Sequence, residues 1–178
     1  MAELNAPILL EPYSAAWPVR FEAERQLLEG ILASWLAGPI EHIGSTAVPG
    51  MTAKPIVDVM AGVRDLQGSK EAISILESAQ YCYAPYRTAV MHWFCKPSPS
   101  FRMYHLHLVP FGSPTWTERL IFRDRLRRDQ VTATAYLGLK FRLAQSHPTD
   151  REAYTDGKAE FVSRVIQEES QAAAQDSA

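Results

Sequence analysis

The 178-residue sequence holds only two cysteines, Cys82 and Cys95. They are too far apart for a Cys-x-x-Cys redox pair and too few for a zinc ribbon or a disulfide framework. Both read as half-buried thiols in a reducing compartment, so the expected location is the cytoplasm. No stretch of about 18 uninterrupted apolar residues occurs, so no membrane helix is expected. The first ten residues lack the basic start and apolar run of a secretory leader, and none is expected. Neither sign of charge dominates: 18 Lys and Arg stand against 20 Asp and Glu, a net charge of −2. A global electrostatic grip on nucleic acid is therefore not expected, although a local basic patch stays open. Internal repeats and low-complexity segments are also missing. What is present is a 47% hydrophobic, 21% charged chain, which excludes a disordered chain and a coiled coil. One domain over residues 1–170 is expected, with 171–178 as a small, polar, flexible tail.

Along the chain, Pro7 to Leu10 is a short apolar run that reads as an edge strand. A helix starts between Ser14 and Pro18, carries Phe21, Leu28, Ile31, Leu32 and Trp35 at helical spacing, and ends at Gly38-Pro39. Ile40 to Gly44 reads as a strand running into a loop over Ser45–Ala53, and Pro55 to Val63 is the strongest strand in the chain. Asp65 to Ala79 fits a helix; Tyr81 to Arg87, Ala89 to Cys95 and Phe101 to Val109 read as three further strands. Lys96 to Ser100 reads as a Pro/Ser turn. Thr115 with Glu118, and Thr149 with Glu152, have capping-box spacing. They open helices to about Arg128 and through Tyr154, Phe161, Val165 and Ile166, with a further helix over Val131–Gln145 between them. Strands first and helices last predict an α+β domain, a mixed β-sheet packed with helices and a helical C-terminal part.

Most of the chemistry lies in one segment, from His42 to Val59. A strand ends at Gly44, where no Cβ keeps the backbone from a ligand. Ser45 and Thr46 add hydroxyls and free N–H groups just beyond, a turn that suits phosphate oxygens. Lys54 stands at the mouth of the next strand as a compact positive charge. Asp58 lies inside an otherwise apolar strand, where a carboxylate costs free energy unless it is paired, hydrogen-bonded or bound to a cation. The same residues also fit a plain tight turn and an Asp satisfied by neighbouring backbone or an arginine.

This segment resembles the signature of the GrpB family, which is assigned to the nucleotidyltransferase (polymerase-β-like) superfamily. Tyr13 and Trp17 match its Y-x-x-x-W pattern, and His42 to Asp58 its H-I-G-S-T-A-V-P-G…K-P-I-x-D block. His105 to Leu108 matches H-L-H-L, and Phe122 to Arg127 matches F-R-D-x-L-R. Tyr136 and Lys140 match Y-x-x-x-K, a spacing repeated by Tyr154 and Lys158. The resemblance implies that Gly44 and Ser45, with Thr46 and Lys54 beside them, hold the phosphates of a nucleoside triphosphate, and that Asp58 ligates Mg²⁺ or Mn²⁺. It implies transfer of a nucleotide monophosphate to an unknown small-molecule or protein acceptor, with pyrophosphate leaving. Twelve residues separate Ser45 from Asp58, which fits the superfamily pattern.

One departure stands out. Residues i and i+2 of a strand share a face, so the second metal carboxylate belongs at position 60, which is Met60. A thioether does not serve a hard magnesium ion. His105 and His107, both on one strand face, are the next candidates, lining the opposite side of the cleft. They suit proton transfer, phosphate contact or a transition metal shared with Asp58, or are plain polar residues on a wet sheet face. Arg119, Arg123 and Arg127 form a helical stripe, either a solvated face or a phosphate clamp; Arg123 and Lys140 are the preferred clamp residues because they fall in family-matched positions. The four tryptophans read as core anchors, and His42 as a residue that shapes the loop. The alternative to an enzyme is a non-catalytic nucleotide- or phosphate-binding module linked to coenzyme A metabolism, since the family also occurs fused to dephospho-CoA kinase.

Overall fold

In the computed structural model, which describes residues 7–176, the Val-rich segment forms an interior strand of the sheet, β2, Val57–Val63. Val57, Val59, Ala61 and Val63 are fully buried on one of its faces. Each such valine contributes about 1.5–3 kcal/mol through burial. Met60 is equally buried on the other face, and Asp58 is the only charged residue in the strand. A strand apolar on both sides must be covered on both sides.

Helix α1, Ala16–Leu32, and the short α2, Ala72–Ser78, cover the valine face, where Trp17, Leu28, Leu32 and Leu76 pack against the sheet. Helix α3, Pro114–Arg128, covers the other face through Trp116, which joins Ile43, Met60, Met91 and Val109. The remaining strands are β1, Leu36–Ile43; β3, Cys82–Ala84; β4, His92–Pro97; and β5, Arg102–Pro110. The sheet order is β1-β2-β5-β4-β3, with β2 and β5 parallel and every other pair antiparallel. This is the mixed-sheet α+β architecture expected from the sequence. Helices α4, Gln130–Ser146; α5, Arg151–Asp156; and α6, Ala159–Asp176, complete the helical C-terminal part. A third apolar cluster ties the loop residues Val48 and Met51 to Leu126, Ala133 and Tyr136, fixing the loop before β2 against the helices.

Several local expectations need correction. Pro7–Leu10 is not an edge strand: Ile8 N–H donates to the Pro148 carbonyl, and the only pairing nearby among the described residues is an isolated bridge between Glu11 and Ala53. Gly38 and Pro39 do not end α1. They lie within β1, at a bulge on an edge strand where proline is tolerated, and a Cβ at Gly38 would come within 2.1 Å of the Phe111 ring. The helix expected from Asp65 shrinks to α2, because Asp65 instead accepts the Gly68 N–H in a turn. The Tyr81–Arg87 strand shortens to β3. The helix caps are Ser113 and Asp150, not Thr115 and Thr149: each cap side chain accepts a backbone N–H of the first turn. The final helix is two, broken at Gly157-Lys158, and α6 continues through Gln171 to Asp176, within the segment expected to fray. Cys82 and Cys95, distant in sequence, lie directly opposite each other across β3 and β4 as free thiols. No helix among the described residues is long and apolar enough to cross a membrane.

Candidate functional site

The site begins where β1 ends. Gly44 has φ +70°, a left-handed conformation that favours glycine, and a Cβ there would lie 2.4 Å from Asp58 Oδ2. Both constraints select glycine at this position. The next residues, Ser45–Ala47, make one turn of 3-10 helix. Thr46 is buried and braces the turn: its hydroxyl donates to the Ile56 carbonyl at 3.3 Å and pairs with His42 Nε2 at 3.0 Å. His42 stacks on Phe21 with ring centroids 4.7 Å apart. Burial lowers its pKa to about 4, Asp58 opposing and Arg127 and Arg123 reinforcing the shift. It is therefore neutral at pH 7 and shapes the loop, as expected.

Asp58 lies against a histidine, not an arginine. The parallel register sets His105 beside Asp58 and His107 beside Met60, on the same sheet face. His105 and His107 are thus Asp58's neighbours and do not face it across the cleft, because strand pairing, invisible in the sequence, decides which residues meet. His105 Nδ1 is 3.0 Å from Asp58 Oδ1; His107 Nε2 is 3.7 Å from the same oxygen, beyond hydrogen-bonding range. Desolvation pushes the Asp58 carboxyl up, but the two histidines outweigh it and hold the group well below the usual carboxylate range. Burial, reinforced by the Arg119 charge and opposed by Asp58, lowers His107 to about 4. Its Nδ1 touches Met91 Sδ at 3.5 Å. Trp93 leans on His105 with centroids 5.0 Å apart.

Above Asp58 and His105 opens a cleft of about 70 Å³, lined also by Ser45, Thr46, Lys54, Lys140, Tyr154 and Lys158. Of the residues expected at the site, the structure brings Ser45, Thr46, Lys54, Asp58, His105 and Lys140 together at this one hollow, with Gly44 packed against Asp58. Lys54 is delivered by the loop before β2, Lys140 by α4, and Lys158 by the break between α5 and α6. Among the described residues no carboxylate lies within ion-pair distance of any of the three ammonium groups. Tyrosine rings seat them instead: Lys54 Nζ is 4.7 Å and Lys158 Nζ 4.4 Å from the Tyr154 centroid, and Lys140 Nζ is 5.2 Å from that of Tyr136. Lys140, only 2% exposed, also donates to the Thr52 carbonyl.

Burial, reinforced by Lys158, lowers the Lys140 pKa to about 7. Burial, with Lys54 adding to it and Asp58 opposing, lowers Lys158 to about 8. Lys54 is lowered mainly by burial. Such a cleft is suited to an anion, which would return the charge balance these ammoniums lack.

Arg123 is not at the cleft. Its guanidinium is held by Glu41 at 2.6 Å, Asp124 at 2.7 Å and the His42 carbonyl at 3.1 Å, bracing α3 against β1. Helical spacing revealed the arginine stripe but not which member a carboxylate on β1 would capture. Within that stripe Arg119 has no carboxylate at ion-pair distance among the described residues, and its Nη2 lies 3.6 Å from Met91 Sδ. Lys158 and Tyr154 were missed as site residues. Their signal was the second Y-x-x-x-K, which places lysine over tyrosine one helical turn on.

A resident metal fits this donor set poorly. Asp58 Oδ1 is engaged by His105, which leaves Oδ2 of one part-exposed carboxylate as the single oxygen on offer, and Met60 is sealed in an apolar cluster. Among the described residues no group of three or more His, Cys, Asp or Glu is arranged to hold a metal ion.

Comparison with known proteins places the chain. Residues 7–168 match the family model described as GrpB protein. The chain belongs to the GrpB family. It is 38% identical over 159 residues to a UPF0157 protein of Pseudomonas aeruginosa, covering 87% of this chain and 64% of that one. The chain thus spans under two thirds of that relative's length. The glutamate-rich protein GrpB of Alkalihalophilus pseudofirmus is 30% identical, over 90% of this chain and 95% of its own. The crystal structure of GrpB from Enterococcus faecalis superposes with a TM-score of 0.80 at 32% identity, covering 90% and 96% of the two chains.

Proposed function

We propose that this GrpB-family chain binds a nucleoside triphosphate by its phosphates in the lysine-lined cleft and transfers the nucleotide monophosphate to a small-molecule or protein acceptor. The observation that carries this reading is the convergence of Lys54, Lys140 and Lys158 on Ser45, with no carboxylate among the described residues at ion-pair distance and Asp58 alone sharing the cleft. The Gly-Ser turn followed by a strand bearing Asp58 supports a nucleotidyltransferase-like reaction. In that reaction an acceptor hydroxyl forms a new P–O bond at the α-phosphorus, the bond to pyrophosphate breaks, and the hydroxyl proton must go to a base. His105 is placed to take it. An ionised Asp58 can only accept a hydrogen bond, so the shared proton sits on His105 Nδ1, and in the neutral imidazole the lone pair is then on Nε2. Among the described residues that nitrogen has no hydrogen-bond partner, and it is buried at the cleft wall, so the acceptor reaches it only when the His105 side chain shifts. Asp58 then stabilises the imidazolium that forms. The chemistry runs through the chain's own groups, since the donor set does not fit a resident metal.

A second reading, a non-catalytic phosphate-binding module, is favoured by Met60 at the position of a second carboxylate. A dephospho-CoA kinase of Mycolicibacterium paratuberculosis is 25% identical over a stretch covering 84% of this chain and 43% of that protein, which supports a link of such a module to coenzyme A metabolism. Calorimetric titration with each of the four NTPs, followed by a pyrophosphate assay over an acceptor panel, separates the readings. Ser45→Ala is expected to weaken NTP binding by about tenfold while moving Tm by no more than about 2 °C. Pyrophosphate release lost in His105→Gln supports the enzyme; binding without release supports the module. If no NTP binds, both readings fail.

A further inference from the structure

We propose that the cleft takes the terminal phosphate of its ligand as a metal-free dianion, with Lys54, Lys140 and Lys158 supplying the positive charge that a pair of magnesium ions supplies in an ordinary nucleotidyl-transfer site. This deepens the phosphate-binding reading and rests on it.

Charge is the first argument. Three ammoniums face one carboxylate, Asp58, and no other acid among the described residues lines the cleft. With all three lysines protonated the surplus is two positive charges, which matches a terminal phosphate that carries close to two negative charges at neutral pH. A divalent cation in the same hollow would sit against three ammoniums with one carboxylate to hold it. Size is the second argument. At roughly 10–15 Å³ of such space per water, a cleft of this size holds about five waters. That is room for one phosphoryl group with a little solvent, so the remainder of the ligand must lie in the open mouth.

The seating of the lysines is the third argument. Lys54 and Lys158 share the Tyr154 ring, and Lys140 uses Tyr136. An aromatic face holds an ammonium in place without neutralising it, so the groups keep N–H donors for phosphate oxygens. Lys140 gives one donor to the Thr52 carbonyl and keeps others, since an ammonium has three. The pKa values of Lys140 and Lys158, lowered by burial, agree with a site that is incomplete until an anion enters. Asp58 is the fourth argument. Its contact with His105 makes it a positioning residue for His105 and leaves a divalent ion one oxygen of a single carboxylate, with Met60 where a second would stand.

The test is calorimetry with sodium tripolyphosphate, a ligand with terminal phosphates and no base, in EDTA and again in excess magnesium. Binding in EDTA is expected to be at least as tight as in magnesium. Lys54→Met and Lys158→Met should each weaken it by about tenfold or more. Asp58→Asn removes the one repelling charge while keeping an oxygen that accepts from His105, and should tighten binding by roughly two- to tenfold. A thermal melt of each variant checks folding, and the lysine variants test the proposal independently of Asp58→Asn. Binding that requires magnesium or manganese and vanishes in Asp58→Asn overturns the metal-free site and leaves the phosphate-binding reading standing. No binding in either buffer overturns both.

Discussion

Two lysine–tyrosine clusters on opposite sides of the sheet use the same pieces to different ends. Beneath α1, Lys96 lies 4.9 Å from the Tyr81 ring, and its Nζ is 2.6 Å from Glu24 Oε1. The Tyr81 hydroxyl donates to that same oxygen at 2.8 Å. Burial, with the Glu24 charge, pushes the Tyr81 hydroxyl well above its ordinary pKa. At the cleft, Lys158 lies 4.4 Å from the Tyr154 ring and no described carboxylate answers it. The difference is one glutamate. With it, the buried ammonium is a structural strut between α1 and β4. Without it, the ammonium is a cost the fold carries and a ligand can relieve. A buried, unpaired charge is a better pointer to function than a buried pair.

The comparison breaks hardest at Glu24. Its side chain is 8% exposed and that of Lys96 13%, and removing one member of a buried pair strands the other. Glu24→Ala should therefore lower stability by about 3–5 kcal/mol, read from urea denaturation, with the anion affinity of the folded protein unchanged. A loss under about 1 kcal/mol would mean the pair is not a strut.

Lys158→Met tests the other half with the opposite sign. An ordinary lysine, charged when unfolded, becomes harder to charge on folding, so between pH 8 and 10.5 the unfolded chain binds more protons and stability rises with pH. At pH 7 the full cost is present. The displacement of the Lys158 pKa corresponds to ~3 kcal/mol, trimmed to about 2 because part of the side chain stays in water. The ligand-free variant should melt higher than wild type by roughly 4–8 °C at pH 7, with the gap closing by about pH 10.5. A variant that melts lower would place Lys158 among the supports of the fold.

The sequence makes some of this legible and not the rest, for physical reasons. β2 stands out because a central strand must be apolar on both faces, and Asp58 stands out because it breaks that rule. The Gly-Ser turn is legible because a left-handed φ selects for glycine. The caps of α3 and α5 are not, because Ser113 and Thr115, or Thr149 and Asp150, are equally able acceptors and only backbone geometry chooses. Arg123 reads as a clamp because it falls in a family-matched position on the arginine stripe; that Glu41 would capture it depends on how α3 packs against β1. Lys158 is legible only as a repeat of the Y-x-x-x-K spacing; that Tyr154 and Lys158 reach the same cleft as Lys54 and Lys140 depends on how the C-terminal helices pack. In each case local chemistry proposed a role and long-range packing selected among the candidates.

The smallest expected effect refines the comparison further. If the cleft lysines are completed by an anion, binding must draw protons onto those that are partly neutral. Lys140 and Lys158, at about 7 and about 8, are the groups in question. Tripolyphosphate loses its own last protons in or near this range, so its titration without protein is measured alongside, and the pH dependence left after that correction belongs to the protein. Binding raises the lysine pKa values, which means affinity is fullest below pH 7 and declines as pH climbs through 8. Tripolyphosphate binding should weaken by about tenfold between pH 7 and 9, ~1.4 kcal/mol. Calorimetry at pH 8 in two buffers of different ionisation enthalpy should report net proton uptake, reduced in Lys158→Met to the share that Lys140 retains. The Glu24–Lys96 strut predicts no such coupling, because its ammonium already has its counter-charge. Affinity flat across this range, with no proton taken up, would mean that the cleft lysines stay charged on their own, and the contrast between the two clusters would reduce to geometry.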